Sequence, residues 1–362
     1  MKETDLQNTK EPQGSPRLRI VAWEVTRACN LNCVHCRASS DSGPYPEEMD
    51  TEEALSIIDQ ITEVGRPIVI LTGGEPLLRK DIFTLAAYGA EKGLRMVMGS
   101  NGTLITGDMA KQISESGIKR VSISLDGATS ESHDQFRQVS GAFVRAMEGI
   151  ARLKEQGVEF QVNTTITRQN LFEAKEILDL SVRLGAVAHH VFLLVPTGRA
   201  KEMAGQELTA KEYEDTLHWF YQQQSVVPLQ FKATCAPQFY RISQQEARAK
   251  GEELERKRET HGLDAVTRGC LAGISYCFVS HVGVVQPCGY LDLSAGDLRE
   301  SALRHIWDDS PIFEKLRDFS GYKGKCGRCK YIAVCGGCRA RAYAATGDYL
   351  EQEPLCAYNP SG

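Results

Sequence analysis

The chain has 362 residues, 42% of them hydrophobic and 25% charged, and a net charge of −5. That length and apolar content support one large buried core or two ordinary ones, and exclude a collagen-like or wholly disordered chain. Positive and negative residues are interspersed, so no basic excess points to nucleic acid, and no window approaches the roughly 18 apolar residues of a membrane span.

Residues 1–16 (MKETDLQNTKEPQGSP) are polar and carry no apolar signal segment, which predicts a mobile arm and a cytoplasmic protein. Six apolar, β-branched runs follow: Leu18 to Thr26, Pro67 to Leu71, Leu94 to Gly99, Arg120 to Leu125, Phe160 to Ile166 and Val191 to Val195. Each reads as a buried strand. Helical patterns lie between them, among them Thr51 to Val64 after Asp50, Ile105 to Ser116, and Gly141 to Gln156, each closed by a glycine. This alternation predicts an α/β fold with a parallel sheet covered by helices, and six units suit a partial (β/α)6 TIM-type barrel. Chemistry in such folds sits at the C-terminal ends of the strands, where Gly73-Gly74-Glu75-Pro76, Ser100-Asn101-Gly102 and Ser124-Leu125-Asp126-Gly127 fall. From Glu207 to Glu259 the chain turns helical and highly charged, and from about Arg268 it becomes rich in Cys and Gly. The predicted division is a barrel domain over 17–230, a helical bridge over 231–268 and a metal-organised tail over 269–362.

Of the 12 cysteines, none lies between Cys36 and Cys235, and eight fall in the span from Cys270 to Cys356. Short-spaced clusters in a large chain without a signal segment read as thiolate ligands rather than disulfides. Cys29-x3-Cys33-x2-Cys36 offers three thiolates, enough for three irons of a 4Fe-4S cubane with the fourth iron open to a chelating substrate. A zinc ion is the alternative, but it requires a fourth ligand, and the nearest, His35, sits between two of the cysteines.

With these residues the sequence resembles the radical S-adenosylmethionine superfamily. Its CxxxCxxC loop stands as Cys29-Asn30-Leu31-Asn32-Cys33-Val34-His35-Cys36 and its GGEP motif as Gly73-Gly74-Glu75-Pro76. The resemblance implies that the open iron binds S-adenosylmethionine, with Glu75 and neighbouring backbone holding its amino group. It also implies Asn101, Ser122, Ser124 and Asp126 for the ribose and carboxylate, and Arg137 for the carboxylate. The tail resembles a SPASM domain, through Cys270, Gly283 and Cys288 and the run Cys326-x2-Cys329-x5-Cys335-x2-Cys338, whose last interval is two residues rather than the usual three. This implies two auxiliary 4Fe-4S clusters, three in all: Cys270, Cys277, Cys288 and Cys338 nearer the barrel, and Cys326, Cys329, Cys335 and Cys356 further out. Two zinc sites on the same cysteines are the alternative.

Several stretches, including Leu194-Val195-Pro196-Thr197-Gly198-Arg199, Lys232-Ala233-Thr234-Cys235-Ala236-Pro237 and Thr267-Arg268-Gly269-Cys270-Leu271, resemble the family of S-adenosylmethionine-dependent haem synthases. That implies oxidative decarboxylation of two propionates of iron-coproporphyrin III to vinyl groups, with a low-potential electron donor. A peptide or a haem d1 precursor is the alternative substrate. A porphyrin with four carboxylates calls for cationic forks, for which Arg199, Arg241 and Arg268 are candidates, and for aromatic walls such as Phe239 and Tyr240. His189, His190 and His281 are candidate axial ligands of the substrate iron. Cys235 leaves three roles open: ligating substrate iron, replacing an auxiliary ligand, or filling space.

Overall fold

The computed structural model describes residues 17–203, 205–251 and 268–360. The expected arm over 1–16 and most of the charged stretch after Gly251 lie outside them.

The elements run β1 (Ile20–Thr26), α1 (Thr51–Val64), β2 (Ile68–Gly73), α2 (Ile82–Glu91), β3 (Arg95–Ser100), α3 (Gly107–Glu115), β4 (Val121–Ser124), α4 (Ser130–Arg137), α5 (Ala142–Glu155), β5 (Phe160–Ile166), α6 (Ala174–Leu184) and β6 (Ala188–Leu193). They continue as α7 (Ala210–Gln223), β7 (Gln230–Thr234), α8 (Gln238–Ala249), β8 (Tyr276–Val279), β9 (Val284–Gln286), β10 (Gly296–Asp297), α9 (Leu303–Asp309), α10 (Pro311–Arg317), α11 (Gly324–Gly327) and α12 (Arg339–Thr346). Helix α1 shows why such elements form. Asp50 Oδ1 accepts from the Glu53 backbone N–H at 2.9 Å while Glu53 Oε2 accepts from the Asp50 N–H at 2.9 Å, a reciprocal cap. Ala54, Ile57, Ile58 and Ile61 then make the buried stripe.

Strands β1 to β7 pair in parallel in chain order, and together with β8, β9 and β10 they form one open sheet in the order β10-β9-β8-β1-β2-β3-β4-β5-β6-β7. Two features depart from the six-unit expectation. Residues Gln230–Thr234, expected to open a helical bridge, form a seventh parallel strand against β6. Strand β8, from the cysteine-rich tail, pairs in parallel with β1 from Ile20↔Tyr276 to Trp23↔Val279, so the tail extends the barrel sheet at its first strand.

The main core lies between the sheet and helices α1, α2, α3, α5, α6, α9 and α10, and a second, around Phe220, Phe231, Phe239 and Ile242, joins α7 and α8 to β6 and β7. Phe239 and Tyr240 pack in this second core and are not free to wall a porphyrin.

Candidate cluster and cofactor site

Cys29, Cys33 and Cys36 lie on the loop after β1, with Cys29 and Cys33 buried. Loop backbone turns toward sulfur: the Leu31 N–H reaches Cys29 Sγ at 3.4 Å and the Ser40 N–H reaches Cys36 Sγ at 3.4 Å. Arg137 Nη1 donates to Cys33 Sγ at 3.4 Å, and Asn101 Nδ2 stands 4.0 Å from Cys29 Sγ. Three thiols ringed by N–H donors and a guanidinium fit an anionic thiolate cluster. Burial pushes the Cys29 thiol up to about 12, so iron must displace its proton on binding. Among the described residues no three His, Cys, Asp or Glu side chains converge tightly enough for a single metal ion.

The β2 end explains its glycines by backbone contact. The Gly74 N–H donates to Thr26 O and the Glu75 N–H to Ala28 O, both at 2.8 Å, and a Cβ on Gly74 would stand 2.2 Å from Ala28 O. Pro76 then opens a short 3-10 turn. Glu75 is fully buried, and its carboxylate accepts from Ser100 Oγ at 2.9 Å, the Asn101 N–H at 2.8 Å and the Leu77 N–H at 3.2 Å. Burial raises its pKa to about 7 against those bonds. Glu75 therefore braces the Ser100–Asn101 turn.

Asp126 and Arg137 are likewise committed to each other. Arg137 Nη2 meets Asp126 Oδ2 at 2.5 Å, the Thr165 N–H donates to Asp126 Oδ1 at 2.7 Å, and His35 Nε2 lies 3.5 Å from Asp126 Oδ2. Burial drives the His35 pKa down to about 4, so its ring is neutral beside Phe136. Ser122 and Ser124 differ from these residues. They alternate with buried Val121 and Ile123 on β4, stay partly exposed and face the side of the sheet away from the main core.

The expected cationic forks are occupied. Arg199 donates to Cys33 O at 2.9 Å and Ser40 O at 2.8 Å, and its own N–H donates to Cys36 O at 3.0 Å, so the loop after β6 clamps the cysteine loop. Gly198, at φ +56, permits that contact, because a Cβ there would stand 2.3 Å from Arg37 O. Arg241 is buried against Glu214 and Gln245. Arg268 donates to Ile332 O at 3.2 Å and stacks over Phe319 at 4.4 Å. Of the histidines, His189 packs toward α6 with Thr164 and Ser181, and His281 Nδ1 pairs with Glu24 at 2.8 Å. His190, on the opposite face of β6, contacts Gln161 at 3.1 Å.

In the tail, Cys326, Cys329, Cys335 and Cys356 line one pocket with Arg241 and Tyr358. N–H groups again meet sulfur there: Glu353 N to Cys326 Sγ and Gly337 N to Cys335 Sγ, both 3.4 Å, and Arg339 Nη2 to Cys326 Sγ at 3.5 Å. This donor set fits an iron-sulfur cluster on those four thiols. Cys288 and Cys338 meet in a separate cluster of side chains near the β6 end, with Cys270 among their charged neighbours. Cys277 does not join them. It is fully buried in the main core.

Sequence reasoning missed one group. Glu24, at the centre of β1, takes Arg37 Nη2 at 2.7 Å and His281, while Arg37 lies 4.3 Å over Phe278. Burial alone would raise the Glu24 pKa, but Arg37, His281 and Arg27 bring it down to about 2. The only signal was an Arg directly after Cys36 and a Glu inside an apolar strand.

A description of the radical SAM superfamily matches residues 23–181, and one of an iron-sulfur cluster-binding SPASM domain matches residues 270–339. The AdoMet-dependent heme synthase of Oleidesulfovibrio alaskensis is 53% identical over 96% of this chain and 89% of its own length. That of Methanosarcina barkeri is 51% identical over 94% of this chain and 97% of its own. In fold, Streptococcus suis SuiB bound to S-adenosylmethionine superposes with a TM-score of 0.73 at 19% identity, covering 95% of this chain and 78% of SuiB. No helix among the described residues is long and apolar enough to cross a membrane. The chain belongs to the radical SAM superfamily, and within it to the family of the AdoMet-dependent haem synthases.

Proposed function

We propose that this enzyme converts two propionates of iron-coproporphyrin III to vinyl groups by radical decarboxylation, giving protohaem. The observation that carries the reading is near-full-length identity of 51–53% to relatives named for haem synthesis, on a chain that keeps the three-thiol loop beside Arg137. Three 4Fe-4S clusters are proposed: one on Cys29, Cys33 and Cys36 and two on the tail cysteines. Cys29, Cys33 and Cys36 would hold a cluster that, with a low-potential donor, would supply the electron for cleaving S-adenosylmethionine to a 5′-deoxyadenosyl radical.

The chain's own residues do the positioning. Arg137 offsets thiolate charge at Cys33, and Arg199 holds the loop backbone so that the three sulfurs keep their spacing. The hydroxyls of Ser122 and Ser124, with Asn101 and the edge Gly73 to Pro76, line the face proposed to receive S-adenosylmethionine. Asp126 acts through Arg137. In the substrate, loss of a hydrogen atom from the carbon β to a carboxylate leaves a radical there. The bond to the carboxylate then breaks, carbon dioxide leaves, the vinyl double bond forms, and one electron passes to an acceptor. Tyr290 packs in the side-chain cluster that holds Cys235, Cys288 and Cys338.

Anaerobic incubation of the reconstituted protein with iron-coproporphyrin III, S-adenosylmethionine and reductant is expected to yield monovinyl and divinyl products with matching deoxyadenosine. Deoxyadenosine formed without release of carbon dioxide overturns the reading.

A further inference from the structure

We propose that Cys235, and not Cys277, supplies the fourth thiol of the auxiliary cluster nearer the barrel, together with Cys270, Cys288 and Cys338. The inference rests on the auxiliary-cluster part of the functional reading and not on its porphyrin substrate.

Four chain segments bring these thiols together. Cys235 follows β7 directly, at the barrel's far edge, and packs with Cys288 and Cys338 in one side-chain cluster. Cys338, Cys288 and Cys270 are all near enough to act on it electrostatically. Its backbone is pinned through the carbonyl, which accepts from Arg341 Nη2 at 3.1 Å and from the Tyr213 hydroxyl at 3.2 Å. With φ at +55 the residue turns left-handed, an arrangement costly for a side chain other than glycine and kept where surroundings impose it. Two residues on, Pro237 presses on Gly269, where a Cβ would stand 2.6 Å from Pro237 Cβ and 2.5 Å from Cys335 O. The glycine before Cys270 thus lets the Cys235 loop, the Cys270 segment and the Cys335 turn meet. The Cys270 N–H then donates to Cys335 O at 2.9 Å.

Cys277 is excluded by the period of a strand. On β8, Tyr276 and Phe278 face the thiols: Tyr276 has Cys288 and Cys235 among its charged neighbours, and Phe278 lies under Arg37 and against Gly289. Residues between them must point to the other side. Cys277 accordingly packs with Val279 in the main core, and the charged group it faces is Arg317, which stacks over Trp307 at 4.5 Å. Presenting Cys277 to Cys288 would require a one-residue slip of β8 and loss of its register with β1, from Ile20↔Tyr276 to Trp23↔Val279.

The test uses anaerobically reconstituted full-length protein, without porphyrin. Iron and sulfide content, and EPR spectra after reduction, are compared for the parent, Cys235→Ala, Cys235→Ser and Cys277→Ala. Cys235→Ala is expected to lose about four of about twelve irons, or to carry one cluster reduced to three irons. Cys277→Ala is expected to keep the parent's iron and signals. Cys235→Ser leaves a smaller donor on the same loop, and an altered signal from one cluster, or loss of about four irons, is expected even where alanine prevents folding. Parent-like iron and spectra in Cys235→Ser overturn the proposal, as does loss of an auxiliary signal in Cys277→Ala. Because no readout involves decarboxylation, failure here and failure of the substrate assignment are distinguishable.

Discussion

Arg137 stands between two negative groups, the Asp126 carboxylate at 2.5 Å and Cys33 sulfur at 3.4 Å. Its substitution is instructive because both partners are buried. Arg137→Met would leave Asp126 with the Thr165 N–H and the neutral rings of His35 and His133 near it but no cation, and removing one partner of such a pair costs about 3–5 kcal/mol. Denaturant unfolding of the anaerobic protein is expected to show that loss together with a reduced iron content; Arg137→Lys, with one point charge in place of a fork, is expected to fall between. Glu75 makes a prediction in pH. Its folded pKa of about 7 exceeds the ordinary 4.5, so the folded chain holds a proton that the unfolded chain has released in that interval. The contribution of Glu75 to stability is therefore full below about pH 4.5 and is lost as pH rises through about 7, by roughly 3 kcal/mol in total. Glu75→Gln cannot titrate. Melting temperatures taken between about pH 5.5 and 8 are expected to slope in the parent and to flatten in the variant; equal slopes would remove Glu75 as the cause.

At the level of elements, the close approach of the β2 end to the cysteine loop carries a sharper prediction. Gly74→Ala places a methyl 2.2 Å from Ala28 O and 2.5 Å from Arg27 O, so the loop must move. The expected outcome is loss of about four irons and of deoxyadenosine formation, with the EPR signals of the auxiliary clusters retained. The elements were unevenly legible in the sequence. Strand β5 and helix α1 take the bounds read from pattern, because Phe160–Ile166 is a β-branched run and Asp50 caps a clean apolar stripe. Strand β7 escaped because Gln230 and Lys232 alternate with Phe231 and Ala233, which breaks up the apolar run by which the other strands were read. Strand β8 escaped because it is four residues long and its cysteine read as a ligand. Spacing counts thiols but not strand faces, and so it could not separate Cys235 from Cys277. The roles of Arg199 and Arg241 were equally out of reach, since a guanidinium committed to loop carbonyls or to Glu214 has the same sequence appearance as one awaiting a propionate.

Across the whole molecule, a buried pair within the tail holds the arginine that reaches across to the barrel. Arg341 Nη1 meets Glu353 Oε2 at 3.1 Å with both side chains buried, and Arg341 Nη2 also donates to Leu194 O at 3.1 Å and to Cys235 O. Arg341→Met is expected to lower stability by about 3–5 kcal/mol, and Arg341→Met with Glu353→Leu by less than the sum, because the double change leaves no orphaned charge. Thermal unfolding of the reconstituted variants measures both.

The pairing of β8 with β1 also has a meaning in time. Ile20 finds its partner Tyr276 only after most of the polypeptide has emerged from the ribosome. Until then the first strand offers a bare hydrogen-bonding edge, the kind of surface on which nascent chains recruit one another. Cys270 and Cys288 lie on either side of β8 in the chain, so bringing the tail thiols together is expected to carry β8 to that edge and cover it.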